Sequence, residues 1–195
     1  MHTSVIANIK FVGKSLEVSE ISCTFAALII KSITMRPYSV NDVADCILLK
    51  LNADEDCYVV NLKLQKLVYY VQAWNFGKNG DAFVRGDFEA WIHGPANREL
   101  YERFRENKSL YSLIGKEDIL NKDAIGELTE EDSQFIDLIL DNYASFNASD
   151  LERMTHKEQP WLDARKGYGP LERCTNVISK QSMIEYYGKR WAETN

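Results

Sequence analysis

The side chains best equipped for chemistry in this chain are two histidines, His93 and His156, together with the acids near the second, Asp150, Glu152, Glu158 and Asp163. Brought together, they would make an acid–base pair or a metal site. Their spacing points elsewhere. Neither histidine stands in H-x-x-x-H or H-E-x-x-H register, which would put two ligands on one helical face. The residues favour imidazoles that hydrogen-bond backbone groups at helix ends and steady turns; a metal-assisted hydrolase using His93 and His156 is the weaker alternative. Nucleophilic catalysis has less support, because there is no G-x-S-x-G elbow and no cysteine or serine in an activating context. GKNGDAFVRG, residues 77–86, has neither Walker A nor G-x-G-x-x-G spacing, so no phosphate cradle is expected. No catalytic residue, cofactor or metal is called for.

Other features favour recognition over reaction. Arg98, Arg103, Arg105 and Lys108 cluster along one predicted helix and just after it, but Glu99, Glu102 and Glu106 interleave with them. A solvated face is therefore expected there. Tyr69, Tyr70 and Trp74 are residue types found at binding hot spots, yet their spacing favours the core. With a net charge of −6 and a pI near 5.2, nucleic acid is not the expected partner. The cysteines, Cys23, Cys46, Cys57 and Cys174, form no C-x-x-C pair and read as reduced thiols of a cytoplasmic protein. The run CTFAALII, residues 23–30, is too short to span a bilayer, which takes about 20 apolar residues. No membrane association is expected.

The elements that must position these residues are mostly helical. Residues 1–34 have weak periodicity and a net charge of +1, and read either as an N-terminal extension or as a stretch preceding a true start at Met35. Residues 35–195 then form one domain. Val40, Val43, Ala44, Ile47, Leu48 and Leu51 mark one face of a helix capped by Ser39. A second helix runs from Asn61 to Trp74, with Leu64, Leu67, Val68 and Val71 inward and Gly77 and the GKNGD cluster stopping it. AFVRGDFEAWI suggests a short β-hairpin or an extended loop. Pro95 is expected to open the next helix, which carries Leu100, Tyr101 and Phe104. Thr129 and Ser149 are expected to cap two more, Pro160 to start a short one, and Ser179 to open the last, with Met183, Ile184, Tyr187 and Trp191. The expected fold is mainly α: a compact single-domain bundle of six to eight helices with at most a short β-hairpin.

In order, NLKLQKLVYYVQAW (61–74), FEAWIHGP (88–95), LYERF (100–104) and LERMTHKEQPWLDAR (151–165) give this chain a likeness that reaches from about Met35 to Trp191. It resembles the Panacea domain family, phage- and mobile-element-associated proteins also described as SocA-like or GepA-like. The resemblance implies a compact helical domain acting as the antitoxin of a bacterial toxin–antitoxin pair, with a protein toxin as partner and no established catalytic residues. It places Lys66, Tyr69, Tyr70, Trp91, His93, Gly94, Pro95, His156, Pro160 and Trp161 at the family's signature positions, structural or partner-binding. Ala96 stands where valine is more usual, and residues 1–34 have no counterpart.

On that reading Gly94-Pro95 is a rigid turn into a helix, Trp91 its core anchor, and His93 a hydrogen-bonding link to the segment bearing His156 and Trp161. The toxin, expected from an adjacent gene, is neutralised by occlusion or by delivery to a cellular protease. An acidic chain suits a basic toxin. The alternative from another class is a DNA-binding regulator of its own operon, which needs a helix-turn-helix within residues 39–74. The oligomeric state is not legible.

Overall fold

The computed structural model describes residues 36–52 and 59–194. Their elements begin with α1 (Val40–Leu51), β1 (Val59–Val60) and α2 (Asn61–Asn79). A hairpin, β2 (Phe88–Trp91) and β3 (Gly94–Asn97), leads to α3 (Arg98–Arg105), β4 (Leu113–Ile114) and a 3-10 turn, Lys116–Asp118. Five more helices follow: α4 (Ala124–Glu127), α5 (Glu130–Tyr143), α6 (Ala148–Thr155), α7 (Gln159–Ala164) and α8 (Lys180–Thr194). The fold is mainly α, as expected. A second small pair, β1 with β4, joins the hairpin as the only other named strand pairing among the described residues. The N-terminal stretch 1–34 with its run 23–30 and Cys23, and Cys57, lie outside the described residues.

Everything is arranged around α2. Every residue from Leu64 to Ala73 is buried, so over this stretch the helix has no solvent face. The predicted inner stripe of Leu64, Leu67, Val68 and Val71 is correct but incomplete, because Gln65, Lys66, Gln72 and Asn75 are buried as well. Each finds a polar partner, as buried polar groups must. Gln72 Oε1 accepts from the backbone N–H groups of Phe83 and Val84, both at 2.8 Å. Asn75 Nδ2 donates to Asp81 O at 2.8 Å. The polar residues of α2 thus hold the chain that wraps it.

Nor does α2 stop at Gly77. It continues to Asn79 and ends at Gly80, whose φ of 75° is the left-handed C-terminal conformation that glycine adopts without strain. Gly77 has another use. A Cβ there would lie 2.6 Å from the Tyr187 carbonyl carbon and 2.8 Å from the Gly188 nitrogen, both backbone atoms of α8. The two helices, which share the most extensive packing in the fold, meet there with no side chain between them. Gly77→Ala is expected to destabilise the protein by about 2 kcal/mol, the overpacking cost exceeding a helix-propensity gain of about 1 kcal/mol. A Cβ in Gly188→Ala meets Gly77 O at 3.4 Å and Gly77 Cα at 3.9 Å, ordinary contacts, and the change should be close to neutral. Parallel denaturant melts check the contrast; equal losses would contradict it.

Two more predicted boundaries shift, and one predicted exposure is reversed. Pro95 does not open a helix: it lies in β3, paired with Ala90, and α3 starts at Arg98 behind the N-cap Asn97, whose side chain accepts from Leu100 N at 3.1 Å. Asn97 is the stronger cap, and proline fits a strand that does not need its missing N–H. The cap of α6 is Asn147 rather than Ser149, accepting from Asp150 N at 2.9 Å. Ser39 and Thr129 cap α1 and α5 as expected. Finally, Arg103 is not on a solvated face. Its side chain is only 6% exposed, ion-paired with buried Asp45 of α1, and donates to Asp118 O at 2.6 Å. The same Asp45 carboxylate accepts from Leu120 N and Asn121 N, so one ion pair ties α1, α3 and the following loop together. Cys46 and Cys174 are free and buried, and burial pushes the Cys46 thiol up to about 12. Among the described residues, no helix is long and apolar enough to cross a membrane.

Candidate functional site: a braced hairpin and the groove beside it

Lys66 of α2 lies directly behind the hairpin. Its ammonium is buried and donates to Pro95 O at 2.9 Å. Desolvation lowers its pKa to about 7, against the opposing attraction of Glu152. One residue earlier, Gln65 clamps β3 at both backbone groups of Asn97: Asn97 N donates to Oε1 at 2.9 Å and Nε2 donates to Asn97 O at 3.3 Å. From the other side, Trp161 Nε1 donates to Trp91 O at 3.1 Å and Arg165 Nη1 to Ala90 O at 2.9 Å. The far edge of β2 is covered by residues 176–178, with Ala90 N bonding Asn176 O and Ile178 N bonding Phe88 O, both at 2.8 Å. The hairpin is braced on every side but one.

Gly94 explains the G-P pair. Its φ is 91°, and a Cβ would fall 2.7 Å from Thr155 Oγ1 and 2.8 Å from Lys66 Cε. Only glycine allows both the turn and the close approach of α2 and α6 beneath it. The link expected of His93 is present, though it reaches Glu152 of α6 rather than a backbone group: Nδ1 and Oε1 are 3.1 Å apart. The His93 side chain is 41% exposed, so the pair is a surface contact worth little. The His156 imidazole makes no bond to backbone either among the described residues. It stacks on Trp161 at a ring separation of 4.1 Å, and its buried Nε2 has no hydrogen-bond partner among the described residues. Burial lowers its pKa, an effect that Glu152 opposes.

The structure thus gathers Lys66, Trp91, His93, Gly94, Pro95, His156 and Trp161 around one hairpin. Trp91 is not a core anchor. It is half-buried, its ring edge against Tyr101 at 4.8 Å, while its indole N–H donates to Glu89 Oε2 at 2.7 Å. Tyr69 and Tyr70 are fully buried and belong to a second cluster around Glu158, two residues before Pro160. Tyr187 OH donates to Glu158 Oε2 at 2.7 Å and Tyr70 OH to Oε1 at 3.2 Å. Tyr70 stacks on Tyr143 at 3.9 Å, and Tyr143 OH accepts from Trp74 Nε1 at 2.8 Å. Burial pushes Glu158 up to about 7 despite the Tyr187 and Tyr70 hydrogen bonds, and pushes the Tyr187 phenol well up too.

Sequence reasoning did not assign Arg165, Glu158, Gln65 or Glu152 these roles. Arg165 and Glu158 stand within the 151–165 motif, but nothing in their spacing says that Arg165 is buried or that Glu158 meets tyrosine hydroxyls. Perturbed groups often mark active sites. Here, however, neither of the two grooves described below is lined by Lys66, Glu158 or His156. Among the described residues no three His, Cys, Asp or Glu side chains converge on a point that could hold a metal.

Two surface grooves, each of about 440 Å³, flank this framework. One runs beside the hairpin between Trp91, Tyr101, Leu110 and the loop at Arg173. The other is apolar and lies between Trp74, Leu138, Met154 and Trp191. Fold and site define a mainly helical protein whose buried polar groups hold its own backbone and leave a shaped exterior. The chain belongs to the family described as Antitoxin SocA-like, Panacea domain, whose model matches residues 64–162, from α2 to α7. It is 32% identical over 165 residues to Antitoxin SocA of Caulobacter vibrioides (strain NA1000 / CB15N), a match covering 78% of this chain and 88% of that relative. No solved structure matches the chain.

Proposed function

We propose that this chain is the antitoxin of a bacterial toxin–antitoxin pair and neutralises a protein toxin, encoded beside it, by binding it directly. The observation that carries the reading is the match to Antitoxin SocA, which extends over most of both chains. The geometry supports it. A hairpin held by Lys66, Gln65, Trp161 and Arg165 is a preformed surface, and a surface already ordered has less conformational entropy to lose on binding. The bound toxin is then either occluded or handed to a cellular protease. The half-life of the toxin, with and without this chain, separates those two routes. The DNA-binding alternative loses its recognition helix, because α2 presents no exposed face to a groove.

Expression of the neighbouring open reading frame alone should arrest growth, and co-expression with this chain should restore it, with both proteins recovered in one complex. A harmless neighbour that forms no complex would overturn the reading. His93→Ala is expected to cost less than about 1 kcal/mol of stability, as an exposed pair does. If neutralisation nonetheless falls with the melting temperature unchanged, the imidazole belongs to the interface itself.

A further inference from the structure

The groove beside the hairpin contrasts with the charge of the chain as a whole. The protein carries −6 net, yet among the described residues those lining this groove include Arg98, Arg105, Lys108 and Arg173 and not one carboxylate. Its floor is apolar and aromatic, formed by Trp91, Tyr101 and Leu110. That floor is held in place from behind. Glu89 receives Arg98 through two contacts, Nε to Oε1 at 2.8 Å and Nη2 to Oε2 at 2.6 Å, and also accepts the Trp91 indole N–H. Arg98 in turn lies 5.5 Å from the Trp91 ring centre, so the indole is gripped at its edge and its face.

The four cations are not equivalent. Arg98 is committed to Glu89, and Lys108 to Asp118 at 2.6 Å and Leu113 O at 2.7 Å. Among the described residues Arg105 is ion-paired only with Glu102 one turn away, with both side chains exposed, a pair weak enough to exchange. Arg173 is exposed and has no ion-pair partner among the described residues. Two cations are thus available to a ligand, beside a fixed aromatic floor in a groove of about 440 Å³.

We propose that this groove receives an extended acidic segment of the partner protein. One apolar or aromatic side chain of the segment packs on Trp91 and Tyr101, and flanking carboxylates pair with Arg105 and Arg173. The assignment rests on the partner-binding reading above and names the surface it uses. Carboxylates suit guanidinium forks, which they meet through paired hydrogen bonds. A nucleic-acid strand fits less well, since a phosphate backbone draws on a run of uncommitted cations and this groove offers two. A partner that is basic overall can still carry such a segment, so the earlier expectation from net charge and this local one concern different surfaces.

The test uses the full chain and a short fluorescein-labelled peptide of aspartate and glutamate around a single tryptophan, with fluorescence anisotropy as the readout. The peptide should bind, its glutamine/asparagine counterpart should bind about tenfold or more weakly, and salt should loosen the complex. Arg105→Glu with Arg173→Glu should weaken binding by at least about tenfold while leaving the melting temperature unchanged, because both residues are exposed. Absence of binding up to millimolar peptide, equal binding by the double variant, or tighter binding of a single-stranded oligonucleotide of equal charge would each overturn the assignment. So would a double-variant-sensitive dimer of this chain in light scattering, which would make a second copy the occupant. The two readings fail separately. If the double variant still captures and neutralises the neighbouring gene's product as the natural chain does, the groove assignment falls and the antitoxin reading stands. If the natural chain ignores that product yet holds the acidic peptide through Arg105 and Arg173, the reverse is true.

Discussion

Glu158→Gln and Lys66→Met should change the pH dependence of stability in opposite directions and in adjacent windows. Burial raises Glu158 from 4.5 to about 7, so between those values the folded protein holds a proton that the unfolded chain releases. Its contribution to stability therefore falls as pH rises through that window, by about 3 kcal/mol in all. Burial lowers Lys66 from 10.5 to about 7, so above 7 the unfolded chain holds the extra proton. Its contribution climbs from pH 7 towards 10.5, by about 5 kcal/mol. The two limbs meet near neutrality. Subtracting each variant's unfolding free energy from that of the natural chain, across pH, should isolate one limb at a time.

Each variant also carries a constant offset. Methionine at position 66 leaves Pro95 O without its donor. Glutamine at 158 retains an acceptor for Tyr187 or Tyr70. Those offsets do not vary with pH and cannot imitate the slopes. A difference curve for Lys66→Met that stays flat from pH 7 to 10 would show that the ammonium is not desolvated in solution, and the view of α2 as a buried post would fall with it.

Arg165→Ala should be the most damaging substitution in the second half of the chain. The guanidinium is 94% buried, and it donates to three carbonyls, Ala90 O, Gly169 O and Glu172 O, at 2.7–2.9 Å. It also sits 5.0 Å from the Trp161 ring centre. No carboxylate partners it among the described residues, so its whole role is to bind backbone. Removing it strips a donor from all three carbonyls, of which Gly169 O still accepts from Glu172 N at 3.1 Å, and opens a space beside Trp161, at a cost of about 3–5 kcal/mol. Lysine cannot reach three acceptors with one nitrogen and should recover less than half. The loss has an address. Amide exchange at Ala90 and Ile178, which bond across the edge of β2, should accelerate more than exchange within α5. The loop bearing Arg173 hangs from the same contacts, so acidic-peptide binding should weaken too, although Arg165 does not line the groove. Uniform acceleration throughout the chain would show only global destabilisation and would remove the local brace.

Much of the scaffold was legible because local rules acted alone. The period of Val40, Val43, Ala44, Ile47 and Leu48 and the caps Ser39 and Thr129 need only their neighbours, and the helices form where those patterns lie. The hairpin was half legible: alternation in FEAW suggested it, but Pro95 read as a helix start because a stronger signal, Asn97 as N-cap, lay two residues on. Gly77 read as a stop because glycine ends helices, whereas here it admits the backbone of Tyr187 and Gly188. Periodicity failed where burial was total. On α2, the apolar stripe of Leu64, Leu67, Val68 and Val71 does not include Gln65, Lys66 and Gln72, and only the wrapping of hairpin and loop around the helix buries them as well.

By itself, then, the sequence determined the helices, their apolar faces and, through its ordered motifs, the family. Those depend on residues near one another in the chain and on residue types that carry their meaning with them. Tertiary structure alone decided which polar groups are buried, that Arg103 pairs with Asp45 while Arg105 and Arg173 face a groove, and that Glu158 receives tyrosine hydroxyls from two helices, α2 and α8. Burial and charge pairing are sums over neighbours brought from distant segments, and the same arginine or glutamate has a different chemistry according to what those neighbours leave uncovered.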